Sequence, residues 1–439
     1  MRGEIYPMDM AINTLRVVAS AIVDPSNALF LIMITLIFHS KNKKITVMQK
    51  MIMGESIDSP FELTISQLVI GIGAGTVASL IFTYLGLIFD ENSSIYLLFM
   101  VSLFFMAFKP RFICFSYSGA VLGLASLALK YLSIKLNMPQ LNVLNVDILT
   151  LMTLVGILHI VEGGLVMIDG SRGAIPVFTN RDTKIVGGFA LKRYWALPIA
   201  ILLLLSTNTS DLVAGEGLAT PQWWPLIKGD ILLKVTSVIA SVALYGVIGY
   251  SSITFTKSKK KKSLTSGALI MAFGVTLTVV AQLAAHGTGF QLFILIFAAV
   301  AHEAMLRTEK HIELTARPLF VSSEEGIMVL EVVPKSPASQ IGIESGDLII
   351  ELNDKAIENE QEIFDVIKGS YTSISLKIKK PSGEIKRISY SDLSGKKRLG
   401  IVVVPREVPK NTTIVKVDDE SFKDVLEKMK DKDEDEDKE

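Results

Sequence analysis

His159 and Glu162 stand three residues apart inside an apolar stretch, so on a helix they share one face. Ionisable side chains are costly at membrane depth and are ordinarily paired there or used to move an ion or a proton. His302 and Glu303, near the end of the last apolar block, offer partners. Two readings stand side by side: a polar cluster joining helices, and a transport or proton site.

Metal chemistry would need more than this. A zinc-binding His-Glu-x-x-His helix puts two imidazoles on one face, and Ala301-His302-Glu303-Ala304-Met305-Leu306 has leucine where the second histidine belongs. Ile168-Asp169-Gly170 is similar to the third-ligand motif of site-2 proteases, but it precedes the His-Glu pair instead of following it. The chain has one cysteine, Cys114, inside an apolar block, which excludes both a disulfide framework and a cysteine-based zinc site. His286-Gly287-Thr288-Gly289 reads as a plain loop, and no Ser/His pair can be inferred from proximity in sequence. The expectation is no catalytic residue, no metal and no cofactor.

The elements that must hold these residues are mostly apolar blocks. Half of the 439 residues are hydrophobic and the formal net charge is zero, so the charge balance gives no reason to expect a nucleic-acid partner. Met8, Ile12, Leu15, Ala19 and Val23 form one helical face of an N-terminal amphipathic segment, residues 1–27, which Asp24-Pro25-Ser26-Asn27 interrupts. Ala28 to Phe38 is apolar but short against a hydrocarbon core of about 30 Å, so whether this first block spans is open. Clearer spans are Ile65–Phe89, Ile95–Phe108, Ile113–Leu132, Ile148–Ile168, Tyr194–Ser206, Val235–Ile253, Gly267–Ala285 and Phe290–Ala304. The sequence therefore predicts a polytopic α-helical membrane bundle, residues 28–306, with 8-9 transmembrane helices. No cleavable signal peptide is expected, because the first apolar block lacks a small-residue cleavage site.

Lysines and arginines fall on alternate loops: Lys41 to Lys50, Lys109 with Arg111, Arg172 to Arg193, and Lys257 to Lys262. The positive-inside rule places those loops, and whatever follows the last span, in the cytoplasm. Within the third set, Ile175 to Phe178 and Lys184 to Phe189 read as arms of a small hairpin turning at Asn180-Arg181-Asp182. It either docks a partner or packs beneath the bundle.

Residues 316–405 read as a compact α+β module. Ile327 to Val333 and Leu348 to Leu352 are short β-branched runs bounded by Gly, Pro and Asn, and Ile374, Leu376 and Ile378 alternate with polar residues. Ile363, Phe364 and Ile367 lie at helical spacing. Gly326-Ile-Met-Val-Leu-Glu-Val-Val-Pro334, Ser336-Pro337-Ala338, Gly346-Asp347 and Arg398-Leu399-Gly400-Ile401-Val402 together resemble a bacterial PDZ domain. The resemblance implies a peptide added to a sheet edge, with Leu399, Gly400, Ile401 and Val402 as the carboxylate loop and Ile363, Phe364 and Ile367 lining the groove. Alternatively, residues 399 to 403 only complete the sheet, and Leu319-Phe320-Val321 is a competing edge strand. Residues 406–439 form an acidic tail expected to be largely disordered, with one short helix conceivable over Ser421 to Met429.

The whole chain except that tail resembles the MinJ family of polytopic membrane proteins. The resemblance is carried by His159-Ile-Val-Glu162 running into Asp169-Gly170, by Pro176-Val-Phe178, Gly187-Gly-Phe189, Arg193-Tyr-Trp195 and Pro198, and by the PDZ-like segment. It implies a scaffold at septa and poles that bridges a DivIVA-like polar protein to a MinD-like ATPase and other divisome proteins, without chemistry of its own. Homo-oligomerisation stays open. The alternatives are a regulator or pseudo-enzyme related to intramembrane proteases, and a transporter using His159 and Glu162.

Overall fold

A computed structural model describes residues 7–108, 114–181, 184–206, 221, 223–227, 237–357, 363, 373–391 and 398–406. The acidic tail beyond Arg406, Phe364 and Ile367 lie outside the described residues.

Helix α1, Pro7–Val23, meets α2, Pro25–Met53, at a bend of 66°. Asp24 sets the bend by capping α2, its carboxylate accepting the Ser26 N–H at 3.0 Å while Pro25 takes the first-turn position that needs no donor. Helix α2 then continues through the lysines to a left-handed Gly54, so the short apolar block is only its first part. The apolar face of α1 read from sequence is exposed, whereas Met10, Thr14, Val18 and Ala21 pack inward. In lipid that is the reasonable arrangement, because the bilayer solvates Met8, Ile12 and Leu15.

Five helices are long and apolar enough to cross a membrane: α3 (Pro60–Leu85), α5 (Phe115–Lys135), α6 (Ile148–Asp169), α7 (beginning at Lys259) and α8 (Thr288–Thr315). The bent α1–α2 pair raises the number to six. Helix α4, Tyr96–Phe108, has 13 residues, too short for a full crossing at about 1.5 Å per residue. The expectation of 8-9 helices is not met among the described residues.

Two of the expected helices are strands. Strand β3, Lys184–Ser206, and β4, Ser237–Thr254, pair antiparallel from Phe189↔Thr254 to Ser206↔Ser237. Pro198 sits in the middle of the first, where it would cost a helix about 3 kcal/mol, and the second is rich in Val, Ile, Ser, Thr and Gly. A strand among apolar helices must also satisfy its backbone on both edges. One edge of β3 is covered by β5 (Phe320–Val321) and then β4. The other is covered by β2 (Ile175–Arg181), then α3, then β1 (Ile88–Asp90).

Along the α3 stretch, the Ser79 hydroxyl accepts the Ala200 N–H at 2.8 Å. Pro198 falls on this helix-covered edge, so its missing donor breaks no ladder bond. Close approach is possible because α3 presents glycine: a Cβ on Gly71 would lie 2.3 Å from the Ala196 carbonyl oxygen, and one on Gly75 the same distance from that of Pro198.

Helix α6 is the centre of the bundle, buried along nearly its whole length. It crosses α7 on small residues, Gly163 against the Gly267 carbonyl and Gly156 against that of Gly274. Packing between helices in lipid depends on such contact, since transfer from lipid to protein brings no hydrophobic gain.

The C-terminal module has strand order β10-β9-β7-β6-β11, built from β6 (Ile327–Val332), β7 (Leu348–Leu352), β9 (Ser373–Lys379), β10 (Ile385–Ser391) and β11 (Ile401–Val403), with β8 (Lys355–Ala356) on β7. Ser336 caps the short helix α9, Pro337–Gln340, as its Ser-Pro-Ala sequence predicts. Beneath β7, buried Asp347 receives Lys380 Nζ at 2.9 Å, and Glu344 joins at 3.1 Å. Partial burial works against the charged lysine, but the bonds to Asp347 and Glu344 outweigh it and hold its pKa above the ordinary lysine value. A cation with a raised folded pKa contributes stability that is complete below the unfolded pKa and is lost as pH rises through the folded one. Alkaline solution should therefore loosen this module. Amide exchange of its β7 and β9 peptides should accelerate above the ordinary lysine pKa, and Lys380→Met should remove that step; an unchanged alkaline profile would count against the pair.

Candidate functional site

The expected carboxylate loop is at the junction of the two parts of the chain. Strand β11 is the last strand of its sheet, pairing with β6 through Ile401↔Val332 and Val402↔Glu331. Gly400 takes φ +75°, and a Cβ there would lie 2.3 Å from Ser336 Cβ. The glycine thus lets the loop close on α9: the Val333 N–H donates to Gly400 O at 2.9 Å and the Ala338 N–H to Leu399 O at 3.0 Å. Leu399, Ile401 and Ile363 are buried together in the module's own core. Val402 instead joins Leu330, Val333 and Val404 in the core of the helical part. The loop therefore completes the sheet and also forms its terminal strand.

The competing strand, Phe320–Val321, is not a free edge, because it pairs with Val186 and Gly187 of β3. Phe320 meets Phe189 edge-on at 5.6 Å, and Lys259 forms a salt bridge with Glu331. The hairpin read from sequence is present as β2 and the start of β3, and it packs against the C-terminal module. Its turn residues Asp182 and Thr183 lie outside the described residues. Beside β11, a cleft between the end of α2 and α9 is lined by Met53, Gly54, Glu55, Lys335, Ser336, Pro337 and Arg398. Lys335 and Arg398 are both exposed, giving that cleft two cations next to the last strand.

Three of the four basic segments meet at this same end, and the fourth, Lys109 with Arg111, lies outside the described residues. Arg172 reaches Asp58 at 3.2 Å, and Lys41 lies 4.1 Å over the Tyr194 ring. Lys262, buried at the start of α7, is held between Glu309 at 3.6 Å and Glu313 at 3.4 Å from α8.

Just inside that layer, Asp169 at the end of α6 receives Arg193 Nε and Trp195 Nε1, each at 2.9 Å, and both charged groups are buried. Arg193 also donates to the Ser66 hydroxyl at 2.8 Å, so one guanidinium ties α6, β3 and α3 together. Asp169 and Trp195 were visible in sequence only as separate short motifs. Nothing in their spacing shows that they meet.

His159 and Glu162 are both buried, with Nε2 and Oε2 4.0 Å apart. Of the two partners expected, His302 is in the cluster, whereas Glu303 accepts from Tyr117 at 2.9 Å and Arg307 at 2.8 Å. The link between the histidines is Cys114, whose Sγ lies 3.2 Å from His159 Nε2 and 3.3 Å from His302 Nε2. A single cysteine is enough for a mixed thiol and imidazole set, contrary to the exclusion expected from the cysteine count, and sequence spacing shows no trace of it.

Parts of the chain are similar to known proteins. The family model for the PDZ domain matches residues 328–380. The cell division topological determinant MinJ of Bacillus subtilis is 24% identical over 259 residues, covering 57% of this chain and 60% of that protein. A probable MinJ of Lacticaseibacillus paracasei is 27% identical over 86 residues, 19% of this chain and 23% of its own length. The chain thus spans less than two thirds of either relative. Likeness to serine protease HTRA1 of Xenopus tropicalis, 30% over 66 residues, covers 15% of this chain. Among solved structures, the PDZ domain of an SdrC-like protein from Listeria monocytogenes is 25% identical and covers 19% of this chain and 90% of that one, with a TM-score of 0.16. The B. subtilis match is far longer than a PDZ domain, so the MinJ likeness includes the apolar part of the chain.

Proposed function

We propose, taking this MinJ likeness as premise, that the protein is a membrane scaffold that helps position the cell-division machinery through protein contacts and performs no catalysis. The observation that carries this reading is the PDZ domain's last strand, β11, held against the membrane part beside a cleft with two exposed cations. An extended peptide would add to β11, and its terminal carboxylate or acidic side chains would meet Lys335 and Arg398. Leu399, Gly400, Ile401, Val402 and Ile363 would shape the strand and its core in this reading. Phe364 and Ile367, the remaining expected groove residues, lie outside the described residues.

The gathering of Lys41, Arg172 and Lys259 at the PDZ end supports a cytoplasmic location for that domain, by the positive-inside rule. The strands β3 and β4 would then run through the bundle as packed core instead of adding two helical crossings. The partners we infer are a DivIVA-like polar protein and a MinD-like ATPase, bridged at septa and poles. Several weak contacts on one platform would give avidity without a tight single interface, and self-association would add to it.

The test is fluorescence microscopy of the tagged full chain carrying Lys335→Glu and Arg398→Glu, both at exposed positions, with unchanged thermal stability of the purified variant as the control for docking. Septal and polar signal should fall to a diffuse membrane ring, with minicells appearing as septa are misplaced. Each exposed cation contributes up to about 1 kcal/mol when paired with a carboxylate, so the pair should weaken peptide binding by about tenfold. Normal septal focusing and normal division in the double variant would count against the cleft, and diffuse signal from the parent protein would count against the scaffold reading.

A further inference from the structure

Cys114, His159 and His302 come from three different elements and converge within the bundle. Cys114 is the cap residue of α5, His159 lies on α6 and His302 on α8. One ligand atom from each lies within 4.8 Å of the other two, and all three residues are buried. In a tetrahedral zinc site with bonds of about 2.3 Å to sulfur and 2.0 Å to nitrogen, sulfur and nitrogen stand about 3.5 Å apart. The observed separations of 3.2 and 3.3 Å are close to that spacing.

The histidine is also set up as a ligand. His159 Nδ1 lies 2.7 Å from the Val155 carbonyl oxygen, which can only accept, so Nδ1 carries the proton. Nε2 is left as the acceptor nitrogen, with the Cys114 thiol and the Ser116 hydroxyl each 3.2 Å away, and a metal would take the place of these contacts. Metal-binding imidazoles are ordinarily fixed in this way, by donation from the far ring nitrogen to a carbonyl or carboxylate. Phe273 packs edge-on against both imidazoles, at 5.0 Å from His159 and 5.4 Å from His302, giving the cluster an apolar wall.

We propose that Cys114, His159 and His302 form a zinc site within the membrane, with Glu162 as its fourth ligand. Charge selects the ion. Zinc(II) with one thiolate and one carboxylate is neutral overall, which suits a buried site in a membrane bundle. Copper(I) with the thiolate is already neutral and would have no charge reason to recruit the Glu162 carboxylate, which would keep its proton. Binding involves no change of oxidation state: the imidazoles coordinate as neutral ligands, and the Cys114 thiol proton and any proton on the Glu162 carboxyl are released to solvent as the bonds to zinc form. With four protein ligands the site is closed and holds no water for hydrolysis, so its role is to clamp α5, α6 and α8 together. Glu162 is 4.0 Å from His159 Nε2 but outside the group of three mutually close ligand atoms, so its side chain would have to rotate inward to complete the set.

The full chain, purified in detergent without chelator, should carry about one zinc by elemental analysis, as a single closed site requires. Cys114→Ser and His302→Ala should each lower zinc affinity by at least about tenfold, with Glu162→Gln also reducing it. Because these variants could fail to fold, the parent protein gives an independent readout. Cobalt(II) exchanged into it should show a near-ultraviolet thiolate-to-cobalt band together with the intense visible bands of tetrahedral cobalt. Absence of bound zinc, zinc retained in full by a folded Cys114→Ser protein, a cobalt spectrum without the thiolate band, or preferential retention of copper over zinc would each overturn the assignment.

Discussion

Replacing Arg193 with leucine should unfold or severely destabilise the protein in detergent, by about 3 to 5 kcal/mol, the usual cost of removing one partner from a buried ion pair. The guanidinium is the common donor for Asp169, at 2.9 Å, and for the Ser66 hydroxyl, at 2.8 Å, and it is almost wholly buried. Its loss strands the Asp169 carboxylate with the Trp195 indole as its remaining donor among these contacts. A loss of that size is a large share of an ordinary stability of about 5 to 15 kcal/mol. The thermal midpoint should fall sharply and the variant should be degraded in cells. Asp169→Leu combined with Arg193→Leu should recover much of the loss, because removing both charges leaves no orphan. If the single variant melts as the parent does, or the double variant is worse than either single one, the pair does not hold this junction.

A comparable loss is expected from Gly75→Val. The side chain would be driven into the Pro198 carbonyl, 2.3 Å from the Cβ position, and a backbone group in a paired strand cannot rotate aside as a side chain can. Overpacking a core commonly costs about 1 to 3 kcal/mol, and contact with a fixed backbone places this variant at or beyond the upper end. The strand has more at stake than packing, since α3 also supplies the Ser79 hydroxyl that satisfies Ala200 N–H. Displacing the helix would expose unpaired backbone to an apolar surrounding, at a further cost of about 1 to 3 kcal/mol per group. The expected result is loss of protease resistance within residues 184–254, with Val77→Leu on the exposed side of the same helix serving as a tolerated control. Equal resistance in the two variants would mean that α3 does not lie along β3.

The second prediction concerns a region that the sequence predicts as helix, and the first concerns its boundary at Arg193. Apolar runs at Tyr194–Ser206 and Val235–Ile253 show that these segments leave water; the structure buries most of that part of β3, whereas β4 is largely half-buried, with Ser251 and Ile253 exposed. They did not show which secondary structure would bury them. Pro198 was the local signal against a helix, but the deciding fact is distant: β2, α3 and β1 arrive to cover one edge of β3, and β5 and β4 the other. In water a strand can leave an edge to solvent, whereas among membrane helices every edge needs a partner. A helix carries its own hydrogen bonds, which is why α3, α5, α6, α7 and α8 could be read from apolar length alone.

The PDZ domain was legible for the same local reason. Ser336-Pro337-Ala338 caps a helix, Gly400 supplies a left-handed turn, and alternation in residues 374–378 faces one side of β9 to the core. Those choices depend on neighbours a few residues away, and they are nearly independent of the rest of the chain. The sites are different. Cys114 and His302 are separated by 188 positions, and Asp169 and Arg193 belong to motifs that sequence could only note one at a time. His159 and Glu162 were found because helical spacing places them together. Their partners lie on other elements, and no periodicity reports where those elements will pack. Sequence by itself determined which segments are apolar, which module closes the chain and which charges are expensive. Tertiary structure decided which apolar segments are strands, and which expensive groups meet, because both depend on contacts between elements that only folding brings together.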